Sequence, residues 1–208
     1  MKKMLFAVLV AALTLTSCGG NKNNSKAEEP AALSVDQVFE KADSLTDQLV
    51  SVEGVCTHTC RHGATKIFLM GSNDDNILRC EAAALGAFSK DCVKNVVRVT
   101  GYVRETRMDE AYLQNWKQRY EEAVAEQQAQ AVAEAQFGEP SAENNEEVST
   151  ATGCATESKA RREQGNTIDE KIEAYRAEIA QRKEAEGKEY LSFYHIEATA
   201  YEVVPVED

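Results

Sequence analysis

Leu49-Val50-Ser51-Val52-Glu53-Gly54-Val55 and, farther along, Val97-Arg98-Val99-Thr100-Gly101-Tyr102-Val103 are the stretches that decide how this chain folds. Each alternates apolar and polar side chains, the two-residue period of a strand with one buried face. Each also reads Val-x-Val-x-Gly followed by a large residue. A glycine inside a strand marks a bulge or a sharp bend. Two strands bent at the same place suit a small, strongly coiled barrel, in which every strand turns a corner.

Working outward, residues 66–70 and 76–82 read as two further strands, separated by the turn formers Gly71-Ser72-Asn73-Asp74-Asp75. Residues 84–88 suit one helical turn. A last strand spans 190–204, with Tyr194, Ile196, Ala198 and Ala200 on one face. His195 falls on the opposite face and reads as a surface histidine. Ahead of the first strand, Ser34-Val35-Asp36-Gln37 forms a capping box. Val35, Val38, Phe39, Ala42 and Leu45 then recur at helical spacing, which predicts a short amphipathic helix.

The order helix, three strands, short helix, strand and late fifth strand resembles the oligonucleotide/oligosaccharide-binding (OB) barrel, a five-stranded Greek-key fold. The resemblance covers residues 48–105 and 189–204. The chain is also similar to the small periplasmic barrel lipoproteins of Bacteroidetes-type bacteria, a likeness that implies a fold and a compartment but little chemistry. The expected fold class is therefore a β-barrel with an α insertion, an OB-fold-like barrel formed by residues 34–106 and 188–204. The same alternation also fits an open sheet.

Residues 107–187 depart from the simple barrel. Asp109 is placed to cap a helix carrying Leu113, Trp116, Tyr120, Ala123 and Val124. A second helix begins near Thr167 with Ile168, Ile172, Tyr175 and Ile179 along one stripe, and Gly187 stops it. The part between, 137–166, is acidic and rich in Gly, Ser, Glu and Asn, a composition that predicts a disordered loop. The expectation is a helical hairpin inserted before the last strand. Its stripes pack on each other, on the barrel wall, or on a partner.

The first residues carry a different signal. Lys2 and Lys3 precede an uncharged apolar run over 5–15, and Leu15-Thr16-Ser17-Cys18 places small residues before a cysteine. This is the layout of a secretory signal, and the run is shorter than the roughly 20 apolar residues that a bilayer span needs. The block resembles the bacterial lipobox, which implies cleavage of residues 1–17, lipidation of Cys18 and a membrane anchor. Residues 18–33 then read as a lipidated flexible tether. Gly19 stands where sorting rules would place an inner-membrane retention aspartate, so the resemblance implies an outer-membrane protein facing the periplasm.

The formal net charge is −12 and becomes two units more negative when Lys2 and Lys3 leave with the signal. Nucleic-acid affinity comes largely from Lys and Arg displacing counterions, so this balance argues against a nucleic-acid partner. No Gly-x-Ser-x-Gly elbow, phosphate loop, His-Glu-x-x-His pair or dinucleotide fingerprint occurs in the sequence. The reading is a non-enzymatic module that binds an envelope protein or a small ligand.

One stretch carries candidate chemistry. In Cys56-Thr57-His58-Thr59-Cys60-Arg61-His62 the cysteines and histidines fall at every second position. On an unbroken strand Cys56, His58, Cys60 and His62 would all point to one face. They are ligand types for zinc or copper, although positions four apart on a straight strand lie roughly 13 Å from each other. Cys60 and His62, beside the Gly63 turn, are best placed to converge. Two other readings stay open. Cys56 and Cys80 extend apolar faces and suit plain core packing. An exported chain also favours disulfides, such as one between Cys60 and Cys92. Cys154, in the expected loop, reads as the odd thiol.

Overall fold

The computed structural model describes residues 31–61, 63–137 and 154–205. A three-residue strand, β1 (Ala32–Ser34), leads straight into helix α1 (Val35–Leu45). The expected capping box is formed: Ser34 Oγ accepts from Gln37 N at 3.2 Å and Ser34 N donates back to Gln37 Oε1 at 2.9 Å. Strands β2 (Leu49–Thr59), β3 (Lys66–Met70) and β4 (Ile77–Glu81) follow. Two 3₁₀ turns, Ala83–Leu85 and Lys90–Cys92, lead into β5 (Val96–Met108). Helices α2 (Glu110–Phe137), α3 (Ala155–Ala160) and α4 (Ile168–Glu186) come next, and β6 (Leu191–Val203) closes the sequence of elements.

Strand β2 pairs antiparallel with both β3 and β5, β3 with β4, and β5 with β6, while β4 and β6 run parallel. The result is a closed five-stranded mixed barrel, consistent with an OB-like barrel, and β1 adds to β2 in parallel as an extra strand. An open sheet is thereby excluded. Inside lie Val50, Val52, Ile67, Leu69, Leu78, Val97, Val99 and Ile196, with Val35 and Val38 of α1 packed against them.

The two glycines that marked the strands sit at close approaches. A Cβ on Gly54 would lie 3.0 Å from Val35 Cγ2 and 3.1 Å from the Met70 carbonyl oxygen. Gly54 is where the free edge of β2 passes from β1 to β3. At Gly101 the β5–β6 register shifts, and a Cβ would fall against the Glu197 carbonyl and within 2.8 Å of Ala198 Cα.

A second cluster is separate from the barrel interior. Met108 at the end of β5, Leu113 and Trp116 of α2, and Ile172 and Tyr175 of α4 bury one another, with Leu191 and Phe193 of β6 packed against them. The stripe of α4 and the first two turns of the α2 stripe are thus spent on each other and on the end of the β5–β6 ribbon, while Tyr120, Ala123 and Val124 lie outside this cluster and half-buried. Gly187 ends α4 in the left-handed region at φ 72°, as its position predicts.

Two expectations need correction. The flexible tether was to run through residue 33, but Ala32 and Leu33 pair with Ser51 and Val52, and Leu33 packs on the core. The disordered loop was to span 137–166, but Ala155–Ala160 is helical and docks on β4 through Glu157 and Arg79. Of that loop, residues 138–153 lie outside the described residues, as do residues 1–30 with the signal and Cys18.

Candidate functional site

The barrel wall fixes where each candidate side chain points. Ile67 and Leu69 of β3 and Leu78 and Cys80 of β4 face inward, so Lys66, Phe68, Arg79 and Glu81 face outward. Cross-strand pairing then sets five residues in one transverse row outside the barrel: His58, Phe68, Arg79, His195 and Arg104.

The Cys/His stretch does not present one face. The β2–β3 register shifts between Cys56 and His58, leaving Thr57 as the extra residue of a bulge. Before the bulge Cys56 is inside the core, fully buried. After it His58 is opposite the outward Phe68, their rings 6.0 Å apart. The expectation that Cys56, His58, Cys60 and His62 share a face therefore fails at Cys56, because a bulge inverts the alternation. Cys60 follows at the strand end, its Sγ 3.5 Å from Thr65 Oγ1. His62 lies outside the described residues. Among the described residues no three His, Cys, Asp or Glu side chains group as metal ligands.

Cys56, Cys80 and Cys92 are buried together in the barrel core. Burial, reinforced by the neighbouring Cys92, pushes the Cys56 thiol up to about 11. Burial also raises Cys80 and Cys92. All three are protonated at neutral pH, and metal binding or nucleophilic attack needs the thiolate. They serve the core as small apolar side chains, in line with the packing reading. Cys154, expected in the disordered loop, is half-buried and stands at the N-cap of α3.

His195 is on the outer face, as the alternation predicted, but it is not a surface residue. Its side chain is 13% exposed, and Nε2 is 3.8 Å from Glu81 Oε2. Burial, with the positive charge of Arg79 behind it, lowers its pKa from 6.5 to about 4. The ring is neutral at pH 7, and its buried Nδ1 has no hydrogen-bond partner. His58 Nε2 on the same wall is likewise buried without a partner. Arg104 ends the row, bonded to Glu197 at 2.9 Å and Asp47 at 2.6 Å, with its guanidinium 5.1 Å from the Tyr102 ring centroid.

Over this wall lies the Glu157 carboxylate, brought by α3. Lys66 Nζ donates to its two oxygens at 3.1 and 3.2 Å, and Arg79 Nη1 to one of them at 3.2 Å. Arg161 Nη2, one turn along α3, adds a bond at 3.3 Å. Burial raises the Glu157 pKa, but the charges of Lys66, Arg161 and Arg79 outweigh it, so the group lies below its ordinary value. Lys66 and Arg79 were legible as outward positions of predicted strands. Nothing in the sequence linked them to Glu157, which lies 91 positions from Lys66.

No family model matches the chain, and no curated protein matches it.

Proposed function

We propose that the chain is a lipoprotein precursor, lipidated at Cys18 and held in the outer membrane facing the periplasm, and that its barrel is a non-catalytic binding module. In this reading the barrel is of the OB Greek-key type, and α2 and α4 form a helical hairpin inserted before the last strand. The occupant of the barrel wall is an envelope protein or a small ligand, not a nucleic acid. Among the described residues no helix is long and apolar enough to cross a membrane.

The observation that carries the binding reading is the charge of the wall. Lys66, Arg79 and Arg104 gather on one face of a chain with a formal charge of −12. Each is paired with a carboxylate of the chain, Lys66 and Arg79 with Glu157 and Arg104 with Glu197 and Asp47, so the wall's cations are set to recognise carboxylates by electrostatic complementarity. Two measurements test the proposal. Cys18→Ser should move the protein from the membrane to the soluble periplasmic fraction, because the acyl chains are lost. Absence of radiolabelled palmitate from the wild type would overturn the anchor. Arg79→Ala with Arg104→Ala should lose envelope components that the wild type retains. Equal retention would remove this wall as the binding surface.

The unpartnered His58 Nε2 favours one alternative, a metal-binding or thiol-redox protein. In that reading His58 and Cys60 hold zinc or copper. Stoichiometric metal in protein purified without chelator, lost in Cys60→Ser, would establish it.

A further inference from the structure

The occupant of the Lys66–Arg79 site is part of the chain itself, carried on a short helix. A six-residue helix has too few internal hydrogen bonds to persist alone in water. Just past its end, Arg162 takes the left-handed region at φ 55°, uncommon for a residue with a Cβ. The interface under α3 is also underfilled. A cavity of about 30 Å³ remains between Ile77, Arg79, Met108, Tyr112, Ala160 and Phe193, room for a single water. On the barrel side α3 is held by Glu157, whose carboxylate meets Lys66 and Arg79, and its end is tied to α4, where Tyr175 Oη donates to the Arg161 carbonyl at 2.7 Å and Lys171 pairs with Glu163 at 2.6 Å. Without Glu157 those two cations would keep, among the described residues, the Glu81 carboxylate 3.3 Å from Arg79. Leaving a nearly buried cation short of a counter-charge is unfavourable, so the wall has a standing affinity for a carboxylate.

We propose that the β3–β4 wall is a receptor for a carboxylate borne on a short helix, that α3 fills it from within the chain, and that an acidic helical peptide of a partner protein fills it in exchange. The recognised element is a glutamate followed one turn later by a small residue, as in Glu157 and Ala160: the carboxylate meets Lys66 and Arg79, and the small residue lines the cavity it shares with Ile77 and Met108. The proposal rests on reading the barrel as a binding module and names the partner chemistry of that same wall. An internal occupant lowers apparent affinity in proportion to the time it holds the site.

The test uses the full mature chain and a capped synthetic peptide with the sequence of residues 154–161, serine replacing the cysteine. Amide shifts of β3 and β4 are followed by NMR during titration. In Glu157→Ala and the shape-conserving Glu157→Gln the peptide should shift residues of both strands, with an affinity about tenfold or more above that for the wild type. Adding Arg79→Ala should remove the effect, and a peptide with glutamine for glutamate should fail. If neither Glu157 variant, shown folded by its spectrum, binds the peptide, Glu157 is only a structural ion-pair partner and the proposal is overturned. Binding that survives Arg79→Ala, or that is equal in wild type and variants, overturns it as well. A binding module using another surface would survive that result, because the envelope-retention experiment reads out separately.

Discussion

His195 shows how much one side chain depends on its neighbours. It faces Arg79 and Glu81 from β4, Glu197 from β6 and Arg104 from β5, under enough cover to lower its pKa from 6.5 to about 4. Between those two values the unfolded chain takes up a proton that the folded chain refuses. The contribution to stability is thus complete above pH 6.5 and falls as the pH drops toward 4. Since one pKa unit corresponds to about 1.4 kcal/mol, the loss across the window is on the order of 3 kcal/mol. His195→Gln, neutral throughout, should flatten this dependence. Urea midpoints compared at about pH 7 and about pH 5 read it directly. Equal slopes for wild type and variant would show that acid sensitivity lies in the carboxylates instead. The face of His195 was legible from the alternation of β6, but its burial was not. That burial is set by Arg79 and Arg104, which reach it only through the closed pairing of three strands.

At the scale of elements, the glycine in β5 carries a sharp expectation. The register shift at Thr100/Gly101 lets β5 bend while staying bonded to β6, and the backbone of β6 occupies the space a Cβ would need. Gly101→Ala should destabilise the fold at or above the upper end of the roughly 1–3 kcal/mol typical of overpacking, because the obstacle is main chain and cannot rotate away. Thermal melts of Gly101→Ala against Gly54→Ala make the comparison. The smaller loss is expected at Gly54, where the tightest neighbour is a side-chain methyl of Val35. These glycines were legible because the chemistry behind them is local, as were the Ser34 capping box and the helix stop at Gly187. The bulge at Cys56 was not legible, because it answers to the pairing of β2 with β3 and leaves no local mark in the sequence. Helix α3 was hidden for the same reason. Its composition is that of a loop, and its helical order depends on cations supplied by β3, β4 and Arg161.

For the whole molecule the decisive feature is that two apolar clusters share no buried residue. The barrel core holds no residue of α2, α3 or α4; the buried residues of α2 and α4 close on Met108 and the start of β6, and that of α3, Glu157, on Lys66 and Arg79. The helical segment also leaves and rejoins the barrel at one point, since Met108 and Leu191 are direct cross-strand partners. Replacing residues 109–189 with a short Gly/Ser turn would convert β5 and β6 into a simple hairpin. A shorter connection between ends already adjacent lowers the loop-closure cost. Met108 and Phe193 would lose their cover in that variant, so both are changed to threonine to prevent association through the bared ribbon. The shortened chain should still unfold cooperatively, with a lower midpoint because Arg79 and Lys66 lose the Glu157 carboxylate. Differential scanning calorimetry with far-ultraviolet circular dichroism is the measurement. A broad, non-cooperative transition would mean that the barrel cannot close without the helices. The two clusters would then be one folding unit, and the wall bearing Lys66 and Arg79 could not be treated as a surface that exists before its occupant arrives.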